Sequence, residues 1–532
     1  MEKLKTNKTL WILLSLTAAG LILRVISCFW GYPYPLHGDE PTTVMGTIHM
    51  LEQHSYLAQM FYHPDHFQIK CLALLFQIVS YVCFGLPAHK AFYAHMGGFY
   101  VIGRLYTAFW GTLMIPLAYM ILEKCRKGSG LLGAALVAFY PIFVTHSAYA
   151  TPDIVLTFFI MLIAYISMMY LEKPSVWKLV GISACIGISV TIKYTGAVAC
   201  LWLAAIVIYQ RIKEKKYWHI ISDGALCIAV AVLVSFAIGP NLYTDYKTTI
   251  DAIFVEATFE HLGADGLSAW EHFIYYLEVV FNAMGIEAFV FMIFGIVYMF
   301  RKHTIALVNL SLGLIFWVFT SCLALHWERW GIPFYVFMMM FVVLGFFWVI
   351  DMVSKIGNVK VRKISKLAVN VVMLLILGNA VFSGLWVARF SSLEDSRVQG
   401  KEFCMENGIN EENTVFEGYS PLEMNGSTII PIGIDKSGNI MMPNDKRDAK
   451  FFMVSSGMYG RFYAEPERYA GAIAMYEAIE DTCDLIYESE IFAFHSSKWS
   501  AVNIVYKIMD IINCQDKCTG PIVKIYRIPW NS

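Results

Sequence analysis

The sequence predicts an α-helical membrane protein with about eleven spans, followed by a C-terminal α/β domain. Its 532 residues are 58% hydrophobic and only 15% charged, and the mean hydropathy is +0.56. A soluble domain is nearer half apolar and a quarter charged. The apolar residues fall into blocks of roughly 16–25 residues, the length that a helix needs to cross a bilayer. From Arg389 onward the composition becomes polar, which indicates a second domain.

The basic residues between the apolar blocks predict the orientation of the spans. Lys and Arg collect in cytoplasmic loops, so we expect the N-terminus and the loops around Arg126, Arg211, Arg301 and Arg362 to be cytoplasmic. An odd number of spans then places the C-terminal domain outside. The expected spans are 9–29, 99–122, 131–146, 152–171, 179–194, 196–210, 219–238, 286–301, 305–325, 331–351 and 367–387.

Residues 67–86 are apolar enough to be a further span. Counting them would place the basic cluster at 124–127 outside, so we predict a helix that lies along the outer interface. The alternative is a true span combined with one later span miscounted. The Lys-rich start could also open a signal peptide. Without a small-residue cleavage site leading into a soluble domain, a retained first span is expected.

These observations divide the chain into a transmembrane domain, 1–388, whose first extracytoplasmic loop is 30–98, and a soluble domain, 389–532. In the second domain, one helical stretch at about 465–480 alternates with strand-like runs, which predicts an α/β fold. The predicted strands are 413–417, 427–432, 450–455, 484–488 and 522–528.

Four cysteines lie in the polar C-terminal part: Cys404, Cys483, Cys514 and Cys518. Outside the cell, one or two disulfides are compatible with this number, but the sequence does not give their pairing. The spacing of Cys514 and Cys518 resembles half a zinc site without the second pair of ligands. The net charge of −1 gives no basic surface for nucleic acid, so membrane lipids are the expected surroundings.

The strongest candidate for chemistry is the carboxylate pair Asp39 and Glu40, just beyond the first span. Charges at the mouth of a membrane segment are costly unless they are used. A carboxylate held there can take a proton from a hydroxyl group, so we predict Asp39 as a general base with Glu40 beside it. The alternative is a solvated loop pair. Asp153 opens the fourth span at the same face, where a helix cap is an equally good explanation.

Four cations are expected at the same outer face: Arg104, Lys193, Lys70 and Arg329. Any one of them could simply extend to the lipid headgroups, but together they predict a site for a phosphate. The run from His63 to His66 contains two histidines and an aspartate. Nothing fixes a ligand geometry there, so we expect no cofactor, with a divalent metal as the less favoured alternative.

The order of these motifs resembles one family. The motifs are Arg24, Asp39-Glu40, His63-Pro64, Arg104 followed seven residues later by Gly111, Thr151-Pro152-Asp153 and Lys193-Tyr194. Together they resemble the protein O-mannosyltransferase and aminoarabinose transferase group, glycosyltransferases of the C type (GT-C) that use a polyprenyl-phosphate sugar. The resemblance covers most of residues 10–390. The tail, from Asp395-Ser396-Arg397 through Tyr459-Gly460-Arg461 to Tyr526-Arg527, is similar to that of bacterial members.

The resemblance implies inverting transfer of a monosaccharide to an acceptor hydroxyl at the outer face of a bacterial plasma membrane. The acceptor can be a protein, a polymer or a lipid. Asp39 would be the base, with Glu40 and Asp153 as further catalytic carboxylates. The donor site would be formed by Arg104, Lys193, Lys70, Arg329, Tyr194 and His63.

The chain also departs from the family pattern. Many relatives have a Pro-Pro pair where this chain has Pro64-Asp65, and Lys70 matches the family's loop lysine only approximately. A multi-pass transporter or lipid flippase is the alternative function, and a relative that only binds lipid carriers is a third. Transporters place ionisable groups at the bilayer midplane within repeated halves, whereas here those groups gather at one face.

Overall fold

The computed structural model describes residues 2–255, 267–302, 304–435, 439–515 and 517–531. Up to residue 390 the described chain is mainly helical, because a backbone in lipid has to satisfy its own hydrogen bonds. The helices are α1 (Glu2–Ser27), α2 (Glu40–Glu52), α3 (His66–Phe84), α4 (Ala88–Ala91), α5 (Met96–Cys125), α6 (Gly130–Phe139), α7 (Pro141–Ser147), α8 (Asp153–Glu172), α9 (Val176–Ile192), α10 (Ala199–Lys213), α11 (Trp218–Ile238), α12 (Asn241–Thr244), α13 (Tyr246–Val255), α14 (Ala269–Met284), α15 (Ile286–Lys302), α16 (Ile305–Val308), α17 (Ser311–Ser321), α18 (Ile332–Ser354) and α19 (Val359–Phe390).

Within the described ranges, eight helices are long and apolar enough to cross a membrane, or up to ten if each of two bent pairs counts as one span. The pairs are α6 with α7, bent by 56°, and α14 with α15, bent by 119°. Two further predicted spans, 179–194 and 305–325, correspond to shorter apolar helices. The prediction of a multi-pass helical protein is therefore confirmed. Seven of the eleven predicted spans are among the eight helices, and the two bent pairs and two short helices correspond to the other four; the eighth helix is α3, which was predicted to lie at the interface.

Helix α3 contains the stretch for which the sequence left two alternatives. Its 19 residues have the length and hydropathy of a membrane span, and Leu74 and Val82 are well exposed on its surface. It packs on α2 and α4 within the first loop. Both alternatives, the interfacial helix and the true span, thus stay open, and the assignment to the interface remains a prediction.

Helix α18 forms the centre of the membrane region, since every residue from Ile332 to Phe346 is buried. It crosses α15 at very short range. A Cβ added at Gly345 would collide with the carbonyl oxygen of Phe291, and one added at Gly295 would collide with that of Phe341. Small residues at a crossing let two backbones approach closely, which is a main source of helix association in membranes.

The C-terminal region has the predicted α/β character. Its helices are α20 (Ser396–Glu406), α21 (Ser456–Tyr463), α22 (Ala470–Thr482) and α23 (Ser500–Asn513). Its strands are β1 (Thr414–Phe416), β2 (Gly433–Ile434), β3 (Ile440–Met441), β4 (Phe451–Ser455), β5 (Asp484–Glu488) and β6 (Val523–Arg527). Four strands form a sheet in the order β1-β4-β6-β5, in which β1 and β4 are parallel and the other pairs are antiparallel.

Two details of this domain differ from the sequence-based predictions. The run 427–432 is not a strand; it leads into the small antiparallel pair of β2 and β3. All twelve cysteines are free thiols, so none of the four in this domain forms a disulfide. The Cys518 thiol donates instead to the carbonyl of Glu490 at 3.0 Å. The boundary at 388/389 stays a prediction, with α19 ending at Phe390.

The C-terminal domain is held against the membrane region by buried polar contacts. The guanidinium of Arg397 pairs with Asp395 and also donates to the carbonyl of Leu36 in the first loop, at 2.8 Å. On α23, Asn503 donates to Asn379 of α19 at 2.7 Å. The segment that carries Asp39 therefore lies between the two parts of the molecule.

Candidate functional site

A cavity of about 470 Å³ lies where the first loop, the turn at 327–330 and the C-terminal domain meet. We refer to it as the central cavity. Its first-loop wall includes Asp39, its turn contributes Arg329, and its C-terminal wall contributes Arg397 and Arg461. Polar side chains thus surround a space of the size typical of small-molecule sites.

Asp39 directly precedes α2, and its carboxylate faces the central cavity. Arg329 lies 2.5 Å from its Oδ2, and the Asp39 side chain is 31% exposed. Burial raises the pKa of Asp39, but Arg329, together with His37, His63 and Lys193, outweighs this effect, so the pKa lies below its usual range. Asp39 is therefore an ionised carboxylate that the cavity reaches.

Glu40 is turned away from the cavity and is completely buried. Arg104 holds it through two contacts of 2.7 Å, and the backbone N–H of Ala150 donates to it at 3.0 Å. Arg104 also donates to the carbonyls of Cys28 and Trp30. Arg104 is only 1% exposed. This geometry argues against the predicted catalytic role of Glu40 and phosphate-binding role of Arg104, because both are engaged in a structural pair.

Asp153 and Lys193 form a second buried pair. The Lys193 Nζ lies 2.9 Å from Asp153 Oδ1. Asp153 is 2% exposed and lines neither cavity described here, whereas Lys193 reaches a neighbouring one. The geometry therefore argues against direct catalysis by Asp153, which is placed to orient the ammonium group of Lys193.

The neighbouring cavity, of about 290 Å³, is the apolar cavity. Lys193 is its charged residue, while Ile253, Phe319 and Leu323 supply hydrocarbon surface. It shares its wall with the central cavity, since three residues line both: Tyr62, His63 and Trp330. A polar and an apolar compartment thus meet beside Asp39 and Lys193.

The other predicted donor residues are divided between these compartments and the protein interior. Burial, followed by the charge of Lys193, lowers the pKa of His63 to about 4, so its ring is neutral at neutral pH. Tyr194 lines the apolar cavity and donates to the carbonyl of Phe61 at 2.7 Å. Lys70 lines neither cavity; its Nζ lies 3.1 Å from the ring centroid of Tyr56. This placement argues against the predicted phosphate contact of Lys70.

The run from His63 to His66 does not converge on one point. The ring of His66 lies 2.7 Å from the carbonyl oxygen of Met60, and Thr43 donates to Asp65 at 2.7 Å. Burial raises the pKa of Asp65 to about 8, so this carboxyl is protonated at neutral pH and a poor metal ligand. Across the described residues, no three His, Cys, Asp or Glu side chains are grouped to hold a metal ion.

Sequence reasoning missed the contribution of the C-terminal domain to the central cavity. Arg461 lies 5.2 Å from the ring centroid of Tyr419, and both residues line the cavity. Among the ion pairs of the described chain, Arg461 has no carboxylate partner. The only sequence signal was the presence of Arg461 in the tail that resembles bacterial family members.

The whole chain is similar to solved membrane enzymes. It matches ArnT from Cupriavidus metallidurans bound to undecaprenyl phosphate with 12% identity and a TM-score of 0.52, covering 97% of this chain and 98% of that one. The apo form of the same enzyme matches with 12% identity, a TM-score of 0.51 and 98% of both chains. The Archaeoglobus fulgidus oligosaccharyltransferase, in complex with Zn and sulfate, matches with 11% identity and a TM-score of 0.50, covering 92% and 73%.

These likenesses confirm the predicted GT-C fold with its C-terminal domain. Among curated proteins, no significant sequence match is found. The sequence of residues 43–244 matches the family model of dolichyl-phosphate-mannose-protein mannosyltransferase. That range contains α5, the Asp153–Lys193 pair and α10, and it begins just after Asp39. Residues 43–244 are therefore similar to the dolichyl-phosphate-mannose-protein mannosyltransferase family, and the chain has the fold of integral membrane glycosyltransferases of the C type.

Proposed function

We propose that the protein transfers a monosaccharide from a polyprenyl-phosphate carrier to an acceptor hydroxyl at the outer face of the membrane, with inversion at the anomeric carbon. One observation carries the proposal: Asp39 and Lys193 line two adjoining cavities, one polar and one apolar, that share a wall. A donor that joins a hydrocarbon chain to a sugar through a phosphate needs both environments side by side.

The apolar cavity is the proposed place for the lipid phosphate and the first part of its chain. Its Phe319 and Leu323 surface suits hydrocarbon, and Lys193 offers a positive charge. Arg329, which lines the central cavity next to Trp330 of the shared wall, is the second proposed phosphate ligand. The donor class is supported by the similar fold of ArnT, which was solved with undecaprenyl phosphate.

Asp39 is the proposed base. The acceptor oxygen attacks the anomeric carbon from the side opposite the phosphate and forms the new glycosidic bond as the carbon–oxygen bond to phosphate breaks. The hydroxyl proton passes to Asp39, and the electron pair leaves with the lipid phosphate, where Lys193 and Arg329 stabilise the charge.

The ion pair between Asp39 and Arg329 suggests how donor binding prepares the base. A phosphate that draws Arg329 toward itself weakens the contact that holds the pKa of Asp39 low. The carboxylate then becomes a stronger base when the donor is in place. The order of events limits proton uptake by Asp39 to the complex that can react.

The outer location follows from the charge distribution proposed for the loops. Arg126 and Arg211 lie at the ends of helices opposite the site, where they pair with Asp351 and Asp223. Under the positive-inside rule this end is cytoplasmic. The central cavity and the C-terminal domain then face outside, in our proposal across a bacterial plasma membrane.

The decisive variant is Asp39→Asn, which keeps the shape and removes the base. We expect transfer from a radiolabelled polyprenyl-phosphate sugar to fall by about 10²–10⁴, the usual contribution of general base catalysis, while binding of the lipid donor remains. Asp251→Asn, at an exposed position of α13, is the matched control and should stay active. Unchanged turnover by Asp39→Asn would refute the role of Asp39.

The substrates can be identified by mass spectrometry of lipid-linked sugars and glycoconjugates in cells with and without the gene. We expect one polyprenyl-phosphate sugar to accumulate in the deletion strain and one glycan to disappear, which names the donor and the acceptor. A change only in the distribution of the lipid across the bilayer, with every glycan intact, would favour a flippase.

A further inference from the structure

A third cavity lies inside the C-terminal domain, away from the two cavities of the proposed reaction. It has a volume of about 330 Å³, and four of its lining residues are tyrosines: Tyr459, Tyr463, Tyr476 and Tyr526. We refer to it as the tyrosine cavity. Its volume lies within the range of small-molecule sites.

The tyrosine cavity has a buried floor and an accessible rim. Tyr476 and Tyr526 are 4% and 3% exposed and form the floor, whereas Tyr463 is 45% exposed at the rim. The ring planes of Tyr459 and Tyr463 meet at 84°, and the ring centroids are 6.2 Å apart. Tyrosine rings set at an angle present flat apolar faces and hydroxyl edges to the same space.

The polar groups of the tyrosine cavity are held in fixed positions. Tyr476 donates to Glu417 at 2.6 Å, and Tyr526 donates to Glu480 at 3.1 Å. Lys524 also donates to Glu480, at 2.7 Å. The cavity thus offers donors and acceptors, and the two charges that line it neutralise each other.

The helix α21 separates this compartment from the central cavity. Gly457 and Arg461, one turn apart, line the central cavity, while Tyr459 and Tyr463, also one turn apart, line the tyrosine cavity. Positions offset by two residues lie on roughly opposite faces of a helix. A ligand in the tyrosine cavity is therefore separated from the central cavity by the thickness of one helix.

We propose that the tyrosine cavity is a carbohydrate-binding site for a neutral pyranoside. A pyranose ring has an apolar face of C–H groups and a rim of hydroxyls, which match the tyrosine faces and the Glu480–Lys524 pair. The absence of a net charge among the two ionic side chains disfavours an anionic ligand. The inference goes beyond the transfer reaction, because it concerns binding of a sugar at a place where Asp39 and Lys193 have no part.

The test uses the full chain in lipid nanodiscs, free of glycoside detergents, with methyl α-D-mannopyranoside and methyl β-D-glucopyranoside as probes. Saturation-transfer NMR should show contact of at least one probe with the protein. We expect Tyr463→Ala to weaken this binding at least tenfold, since the rim face is lost. Tyr506→Ala, a tyrosine of α23 outside the cavity, should bind as the original chain does.

Glu480→Gln is a second variant. The Glu480 side chain is half exposed, so this substitution leaves the core of the domain intact. It should also weaken probe binding while transfer from the lipid donor continues. If neither pyranoside binds, or if binding survives both Tyr463→Ala and Glu480→Gln, the site assignment is wrong. The Asp39→Asn variant separates this inference from the proposed function, because it should lose sugar transfer and still bind the pyranoside probe.

Discussion

Asp39 and Glu40 are neighbours in the sequence with opposite surroundings. Asp39 faces a cavity beside Arg329, while Glu40 is buried against Arg104. Removing one partner of such a buried pair typically costs about 3–5 kcal/mol of stability, because a charge is left without compensation. Loss of activity on replacing Glu40 or Arg104 would therefore report on folding, whereas Asp39 variants test the proposed base.

The pH dependence of transfer tests the contact between Asp39 and Arg329. Arg329 lowers the pKa of Asp39, so Asp39 stays ionised as the pH falls and protonates only in strong acid. In Arg329→Gln this pKa rises, and we expect the acid limb of the kcat/KM profile to move to higher pH. Arg461→Gln lines the same cavity without touching Asp39 and should leave the limb in place. If the acid limb of the Arg329→Gln profile does not move, Arg329 does not control the pKa of a catalytic Asp39.

The sequence drew attention to Asp39, Lys193 and Arg329 because each lies at the end of an apolar block, where an isolated charge stands out, and the structure places all three beside the two cavities, while their roles stay predictions. The pairing of Arg104 was not predictable, because nothing local shows that Glu40, 64 positions away, folds onto it. Arg461 was missed for a related reason. Its place in the central cavity depends on how a separate domain docks, which no local pattern encodes.

At the level of elements, the crossing of α15 and α18 fixes the frame of the membrane region. Its two glycines permit backbone contact, and α18 leads directly from the turn that carries Arg329. Apolar blocks in the sequence indicated both helices within a few residues. The sequence did not show how closely they approach, because any glycine in an apolar block is compatible with a loose crossing.

Gly345→Ala tests this crossing. The added methyl group meets the Phe291 carbonyl, so we expect a loss of about 1–3 kcal/mol, the usual cost of overpacking, seen as a lower midpoint of thermal unfolding in nanodiscs. Gly224→Ala in α11 is the control, because a Cβ there has no neighbour within 4 Å. Equal midpoints for both variants would show that α15 and α18 can separate at little cost.

At the scale of the whole molecule, the membrane region and the C-terminal domain jointly enclose the central cavity. Arg397 connects them, being 3% exposed and bonded both to Asp395 and to the carbonyl of Leu36, three residues before Asp39. The α/β character of the domain was predictable from alternating strand and helix patterns. Its contribution to the cavity was not, since long-range docking leaves no periodic signal.

We expect Arg397→Ala to reduce transfer about tenfold and to increase proteolysis at 391–395, because the domain loosens and the Asp39 segment loses its anchor. Arg468→Ala is the control, since its ion pair with Glu465 lies on the surface of the same domain. Full activity of Arg397→Ala with unchanged proteolysis would mean that the docked arrangement does not depend on this guanidinium.

The wall of Tyr62, His63 and Trp330 between the two cavities has a consequence for turnover. Under the proposed assignment, the lipid-linked donor enters the apolar cavity and the acceptor enters the central cavity, and the two meet only at this wall. After transfer, the polyprenyl phosphate can return to the bilayer while the glycosylated acceptor diffuses into the aqueous phase. Release of one product therefore does not depend on release of the other.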